Sequence, residues 1–363
     1  MTSLPPDSHV HSQFSWDAQA GSMEATCERA VRIGLRALAF TEHADFTPWP
    51  VGPDDELPEQ WRSLVSDGLL VPPPLDLAGY RESLDRCRLR FPELRILSGV
   101  ELGEPHRHRP VTDALLGAGS FDRVLASVHS VTIGPVTDEV SRFLAGDDPA
   151  AAVRAYLAEA AALVSQFSAY DVLAHIDYPV RKWPVGARPF DPLDFQEEYR
   201  HVLRLLARAG KALEVNTRVP LHPQVLAWWR EDGGQAITFA SDAHSPDLLA
   251  AGFAEAVRVA DTAGFGAGDD PLGLWYRTLP AGRVTFGSDG VELAGEFRSG
   301  EAGRGQPGVV LTGPFTGVKE QVVGTYASMQ AAAGFATLAF DHRGFGESDG
   351  RPWHEDTQGS WPT

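Results

Sequence analysis

Ser8-His9-Val10-His11, near the start of the chain, and Phe239-Ala240-Ser241-Asp242-Ala243-His244, much later, read alike: a short apolar run closing on metal-ligand residues two apart. Four further runs between them end the same way, at Phe40-Thr41-Glu42-His43, Gly99-Val100-Glu101, Ala126-Ser127-Val128-His129 and Ala174-His175. The strands of a parallel barrel deliver side chains from their C-terminal ends, so residues distant in sequence converge on one rim. The series predicts a multi-metal hydrolase site on an α/β barrel.

Outward from these endings, apolar strand-like runs alternate with segments of helical period. Residues 22–36 carry Met23, Cys27, Ala30, Val31 and Leu35 on one face behind a Ser22 N-cap, and the strand Ala37-Leu38-Ala39-Phe40 follows at once. The unit recurs as helix 80–91 into Ile96-Leu97 and helix 149–168 into Val172-Leu173-Ala174. It recurs again as helix 191–209 into Leu213-Glu214-Val215 and helix 221–231 into Ala236-Ile237-Thr238-Phe239. Such alternation argues a parallel sheet closed into a barrel. Residues 46–76, with seven prolines, and residues 103–112 interrupt the rhythm just beyond His43 and Glu101, so both are expected on the active rim, the first as a lid or substrate loop.

Coordination chemistry narrows the site. On an extended strand the side-chain period is two, so His9 and His11 point the same way, as do Asp242 and His244. Imidazole and carboxylate ligands suit Zn, Mn or Fe better than Ca or Mg. Glu101 ends its strand as a lone carboxylate whose two oxygens can bridge two ions. Glu42, beside His43, is expected to point away in a structural role. His201, in a helix, and His222, beside Pro223, show no ligand spacing, and His106 and His108 read as loop residues in solvent.

The chain has 363 residues, 49 acidic against 31 basic, and a formal charge of -18. No basic run interrupts that balance, which argues against nucleic-acid partners. Two cysteines, Cys27 and Cys87, are too few for a disulfide framework, and neither an apolar stretch of membrane-spanning length nor a leader pattern is present. A soluble cytoplasmic protein without membrane partners is expected.

Taken together, Ser8-His9-Val10-His11-Ser12 with Asp17 beyond, Thr41-Glu42-His43-Ala44-Asp45, Gly99-Val100-Glu101, Ser127-Val128-His129, His175 and Ser241-Asp242-Ala243-His244 resemble the PHP phosphoesterase superfamily, within it the histidinol-phosphate phosphatases. The resemblance spans about residues 7–260 in the family's order. It implies a distorted (β/α)7 TIM-like barrel holding two or three divalent ions (Zn, Mn or Fe). It further implies His9, His11, Glu101 and Asp242 on a first metal, Glu101, His129 and His175 on a second, and Asp17, His43 and His244 on a third. Asp17 stands where many members carry His, and Asp is the variant of the histidinol-phosphate branch. The implied activity is phosphomonoester hydrolysis by metal-activated hydroxide, most simply of L-histidinol phosphate to L-histidinol and phosphate in histidine biosynthesis. Another small phosphorylated metabolite is the alternative substrate. Glu101 would act as the bridge, and Asp17 or His244 could protonate the leaving group. A phosphate dianion also calls for guanidinium groups. Arg181 and Arg218 occupy rim positions after strands, followed by Arg107 and Arg109.

The sequence divides into a barrel over 1–295, a Gly-rich linker over 296–307 and an α/β segment over 308–363. The last resembles the opening of an α/β-hydrolase domain, with strand Val309-Val310-Leu311-Thr312, helix 320–333, strand Ala336-Thr337-Leu338-Ala339-Phe340 and a following Asp341-His342-Arg343-Gly344-Phe345-Gly346-Glu347-Ser348-Asp349-Gly350 loop. Gly346-Glu347-Ser348-Asp349-Gly350 fits the nucleophile-elbow string, which raises a serine-esterase alternative. A working elbow needs a strand entering the first Gly and a helix starting after the Ser. Here five residues separate strand from Gly346, Arg351-Pro352 follows, and only His354, Glu355 and Asp356 remain for a triad. A single strand pair also cannot cover both faces of its own sheet.

Overall fold

A computed structural model describes residues 4–351 except Pro53, Asp54, Glu56, Asp269, Pro271, residues 279–281 and 299–306, Phe315 and Thr316. The expected linker therefore lies mostly outside the described residues, as do His354, Glu355 and Asp356. The chain forms two units, Met1–Arg277 and Thr278–Thr363.

In the first unit seven parallel strands run in chain order: β1 (Asp7–Val10), β2 (Ala37–Ala44), β3 (Arg95–Gly103), β4 (Arg123–Ser127), β5 (Val172–Leu173), β6 (Ala212–Asn216) and β7 (Ala236–Ala240). Asp7 pairs with Phe239, closing the sheet into a barrel. The distortions are local. β5 has only two residues, β1 shifts register against β2 between Asp7 and Val10, and β7 also pairs antiparallel with Trp275–Arg277. Strands buried on both faces read as continuous apolar runs, and all eight residues of β2 are buried.

The surrounding helices form where the sequence pattern asks for them. In Met23–Ile33 the Ser22 side chain accepts the Ala25 N–H, Gly34 ends the helix at φ 75°, and Met23, Thr26, Cys27 and Ala30 turn inward. Gln196–Arg208 buries Tyr199, Val202, Leu203 and Leu206, a spacing of one helical face. At the N-terminal ends of the strands, Val172, Ala212 and Ala236 pack with Leu274 and Tyr276 and plug the barrel. The opposite, C-terminal ends are left for polar side chains.

Residues 46–76 are more ordered than their prolines suggest. Trp49–Pro50, Leu69–Leu70 and Val65–Ser66 form a small antiparallel sheet beside the 3-10 helix Glu59–Leu64. After β4, Ser130–Ile133 and Val136–Glu139 make a hairpin. The irregular stretch after β3 is also shorter than expected, since a helix begins at Arg109.

The second unit corrects the expected boundaries. The strands Gly282–Ser288 and Val291–Arg298 form a hairpin whose second strand pairs with Ala336–Phe340, which in turn pairs in parallel with Gly308–Thr312. The hairpin thus belongs with the C-terminal segment and not with the barrel, and residues 296–298 are strand and not linker. Its alternating, half-exposed pattern satisfies one face of a sheet and carries no information about which sheet it joins. Among the described residues the unit has four strands, and Val323 and Ala327 of the helix Val322–Ala332 are buried with Ala339 of the strand Ala336–Phe340.

Candidate metal centre

At the C-terminal rim the strand ends bring together the residues singled out from the sequence. Glu101, fully buried on β3, divides its two oxygens. Oε2 lies 2.9 Å from His9 Nε2 and 3.4 Å from His11 Nε2, whereas Oε1 lies 2.8 Å from His175 Nε2 and 3.2 Å from His129 Nε2. Asp242 Oδ1 joins the first side, 3.3 Å from His11 Nε2. Further out, Asp17 Oδ2 is 3.1 Å from His244 Nε2 and 3.5 Å from His43 Nε2. All nine expected ligands share one rim in three neighbouring groups. Among the described residues, donor atoms also converge at His11, His43 and His244, and at His43, Asp45 and His129.

This donor set suits divalent transition ions, and the protein alone leaves it incomplete. His9 and His11 nitrogens face each other at 3.0 Å, and Asp17 Oδ1, His43 Nδ1 and His175 Nδ1 are buried without a hydrogen-bond partner among the described residues. The electrostatics say the same. Burial works against charge on His43, yet the carboxylates of Asp17, Glu101 and Asp45 push it up to about 10. Burial likewise opposes charge on His9 and His129, and facing carboxylates hold both well above the usual imidazole range. Despite burial, the histidines hold Glu101 and Asp17 well below the usual carboxylate range, and Arg181 with His9 does so for Asp242. Burial pushes His175 down to about 4, leaving its ring neutral and able to offer a lone pair. The pocket is built for positive charge among its carboxylates, which bound cations supply more compactly than protons.

Several supporting groups were not legible as site residues. Glu214, buried on β6, sits 2.8 Å from His9 Nδ1 and accepts the His175 backbone N–H at 3.1 Å, so one carboxylate orients two candidate ligands. Its signal was a lone acid within the apolar run Leu213-Glu214-Val215. Asp45 lies 3.0 Å from His129 Nδ1 and accepts the Trp16 Nε1–H at 2.9 Å. Its spacing of two from His43 was the available clue. Gly103 makes room for it, since a Cβ there would lie 2.2 Å from Asp45 Oδ1. Asp7 accepts both the Ser241 hydroxyl and its N–H, at 2.5 and 3.0 Å, fixing the turn that presents Asp242 in a left-handed conformation, φ 52°. Glu42 accepts from Ser12 and Ser15, and Ser15 Oγ lies 2.8 Å from His11 Nδ1, so this structural residue steadies a candidate ligand.

The arginines divide. Arg181 donates to Asp242 Oδ2 at 2.5 Å, lies over the Tyr178 ring, and keeps Nε and Nη2 buried without a partner among the described residues. Arg218 Nη1 is 3.2 Å from His244 Nδ1. Both line a cleft of about 700 Å³ that also touches Asp17, His43, His129, His175, Asp242 and His244. Arg107 is not brought there: its guanidinium pairs with Glu159 at 2.5 Å, alongside His106. Arg109 instead stacks on Phe167. Both point toward the helix Pro149–Gln166 because the turn after Glu104 reverses the chain away from the rim. His108 precedes the helix Arg109–Ala118, with Nε2 2.8 Å from Thr47 Oγ1, and His222 caps the helix Pro223–Glu231.

Comparison with known proteins finds relatives of the barrel. A family model described as PHP domain matches residues 7–218. The histidinol-phosphatase of Lactococcus lactis subsp. lactis (strain IL1403) is 28% identical over 246 residues, 66% of this chain and 83% of that protein. A crystal structure of histidinol phosphate phosphatase from the same organism, complexed with zinc, L-histidinol and phosphate, superposes with a TM-score of 0.61 at 27% identity. It covers 72% of this chain and 94% of that one. A shorter likeness, 40% identical over 87 residues, links 22% of this chain to 24% of the uncharacterized protein PA2218 of Pseudomonas aeruginosa. Among the described residues no helix is long and apolar enough to cross a membrane.

Proposed function

The chain belongs to the PHP family, and on that premise we propose that its barrel is a divalent-metal phosphomonoesterase acting on L-histidinol phosphate, releasing L-histidinol and phosphate for histidine biosynthesis. The observation that carries the reading is Glu101, whose two oxygens face separate histidine groups 2.8 to 3.4 Å away. His9, His11, Glu101 and Asp242 would hold one ion, Glu101, His129 and His175 a second, and Asp17, His43 and His244 a third. Bound divalent ions supply an acidified water as nucleophile and neutralise the charge of the phosphoryl oxygens.

The chain's own residues do the rest. Arg181 offers two unpartnered N–H edges to nonbridging phosphate oxygens, in the planar arrangement that suits bidentate binding. Arg218, more exposed, closes the same end of the cleft. Asp17 and His244, 3.1 Å apart on the cleft wall, are the chain's own groups placed to hold a proton for the leaving alkoxide. Glu214 and Asp45 hold His9 and His129 so that their outward nitrogens keep facing Glu101. The buried, free Cys27 and Cys87 suit a reducing cytosol.

The esterase alternative loses its nucleophile. Ser348 Oγ accepts the Ala294 N–H and donates to the Asp341 carbonyl, both at 2.8 Å, and the strand Ala336–Phe340 ends well before Gly346. The test is phosphate release from histidinol phosphate against a panel of other phosphomonoesters and a phosphodiester, with and without chelator. Chelator-sensitive turnover with the highest kcat/KM for histidinol phosphate is expected. Preference for another monoester would keep the metal centre and change the substrate.

A further inference from the structure

The cleft lining is of two chemical kinds. Arg181, its neighbour Lys182 and Arg218 gather where the phosphate is expected. The rest of the wall is aromatic and acidic, with Tyr178 between Arg181 and Glu139. Trp16 meets Trp49 edge-on and Trp61 at a tilt, at ring separations of 5.3 and 5.0 Å, and all three line the cleft. Trp49 Nε1 donates to Ser130 Oγ at 2.6 Å, and Ser130 pairs across the hairpin with Glu139, which places the indole beside Asp138 and Glu139.

Polar capacity on this wall is only partly used among the described residues. Glu139 Oε2 caps the short helix Val140–Leu144 through the Ser141 N–H, while Oε1 lacks a well-formed hydrogen bond and the carboxylate faces the Tyr178 hydroxyl. Trp61 Nε1 is likewise buried with no acceptor. Other charges on the wall are already paired: Arg142 serves Asp55 and Asp138, and Asp45 serves Trp16 and His129. An imidazole offers one N–H donor, one lone pair and a flat face, and turns cationic on protonation. Indole faces and a carboxylate receive both forms.

We infer that Trp16, Trp49, Trp61 and Glu139 form a recognition subsite for a planar, nitrogen-bearing ring on the leaving alcohol of the phosphomonoester. The inference rests on the histidinol-phosphate reading and identifies what selects that substrate over other esters. Phosphate binding by the guanidinium groups stays common to all of them.

The test compares kcat/KM for histidinol phosphate with that for phenyl phosphate, which has a flat ring but no nitrogen. It uses the metal-loaded wild type, Glu139→Gln and Trp61→Phe. The glutamine retains an oxygen for the helix cap, and the phenylalanine retains a stacking face while losing the N–H. Each variant is expected to lower the ratio of the two kcat/KM values by about tenfold, a change carried mainly by KM for histidinol phosphate. A ratio unchanged in both variants, in an enzyme whose wild type prefers histidinol phosphate, overturns the subsite and leaves the substrate reading intact. A wild type with no preference for histidinol phosphate overturns the reading and the subsite with it.

Discussion

In the barrel, imidazoles and carboxylates converge from the strand ends until like groups face each other, His9 against His11 at 3.0 Å, and buried donor atoms stay unmet. In the second unit a polar cluster around a buried lysine is already complete. Lys319, 2% exposed, places its Nζ 2.7 Å from carboxylate oxygens of Asp341, Glu347 and Glu320. One cluster contains its own cation and the other has places for cations that the chain does not supply. Buried charge with a matched partner is architecture; buried charge whose partners are absent from the polypeptide is a binding site.

Glu101→Gln should break the first half of this comparison most severely. Removing the shared negative charge should lower kcat/KM on histidinol phosphate by about a thousandfold or more, with loss of bound metal measured by elemental analysis. Lys319→Met breaks the other half, leaving Asp341 buried without its cation. It should destabilise the second unit by about 3 kcal/mol in denaturant titration while phosphate release continues at the wild-type rate.

Asp177 sharpens the contrast, being a buried barrel carboxylate with neither oxygen hydrogen-bonded among the described residues. Burial raises it from 3.8 to about 7, only partly offset by Arg181. Because its folded value lies above its unfolded one, the protonated form favours folding, and that contribution is lost as pH rises from about 4 to about 7. Asp177→Asn should therefore stabilise the protein at pH 8, by up to about 4 kcal/mol, with the gain shrinking toward pH 4. A thermal-unfolding series across that range would show the slope, and a gain independent of pH would count against it. The smallest effect belongs to Ser348→Ala, which removes two hydrogen bonds and should cost about 1 kcal/mol of second-unit stability without touching phosphatase turnover. Loss of turnover in that variant would relocate the active site.

The same contrast explains what was legible in the sequence. Ligands such as His9, His11, Asp242 and His244 announce themselves through period-two spacing at the ends of apolar runs, because strand geometry imposes that spacing. Their supports carry no such rule. Glu214 reaches His9 from across the barrel, 205 residues away in sequence, so only closure of the sheet brings them together. Arg107 shows the converse: its position just after Glu101 suggested the rim, yet one turn of backbone delivers it to Glu159. The boundary near residue 295 failed for a related reason. Strand Val291–Arg298 carries no residue that names its partner, and that partner, Ala336–Phe340, lies beyond the residues taken as linker. The Gly346-Glu347-Ser348-Asp349-Gly350 string matched a motif whose chemistry depends on a strand running into its first glycine, and the strand Ala336–Phe340 ends before it.

The central claim is that the barrel cluster is completed by divalent cations. The most direct measurement is calorimetric unfolding of chelator-stripped protein, before and after reloading with zinc, with bound ions counted on the same samples. The account predicts two or three ions per chain and a barrel transition raised by about 10 °C or more on reloading, with phosphate release restored in parallel. A stripped protein that unfolds at the same temperature, takes up no zinc and still hydrolyses histidinol phosphate would contradict it.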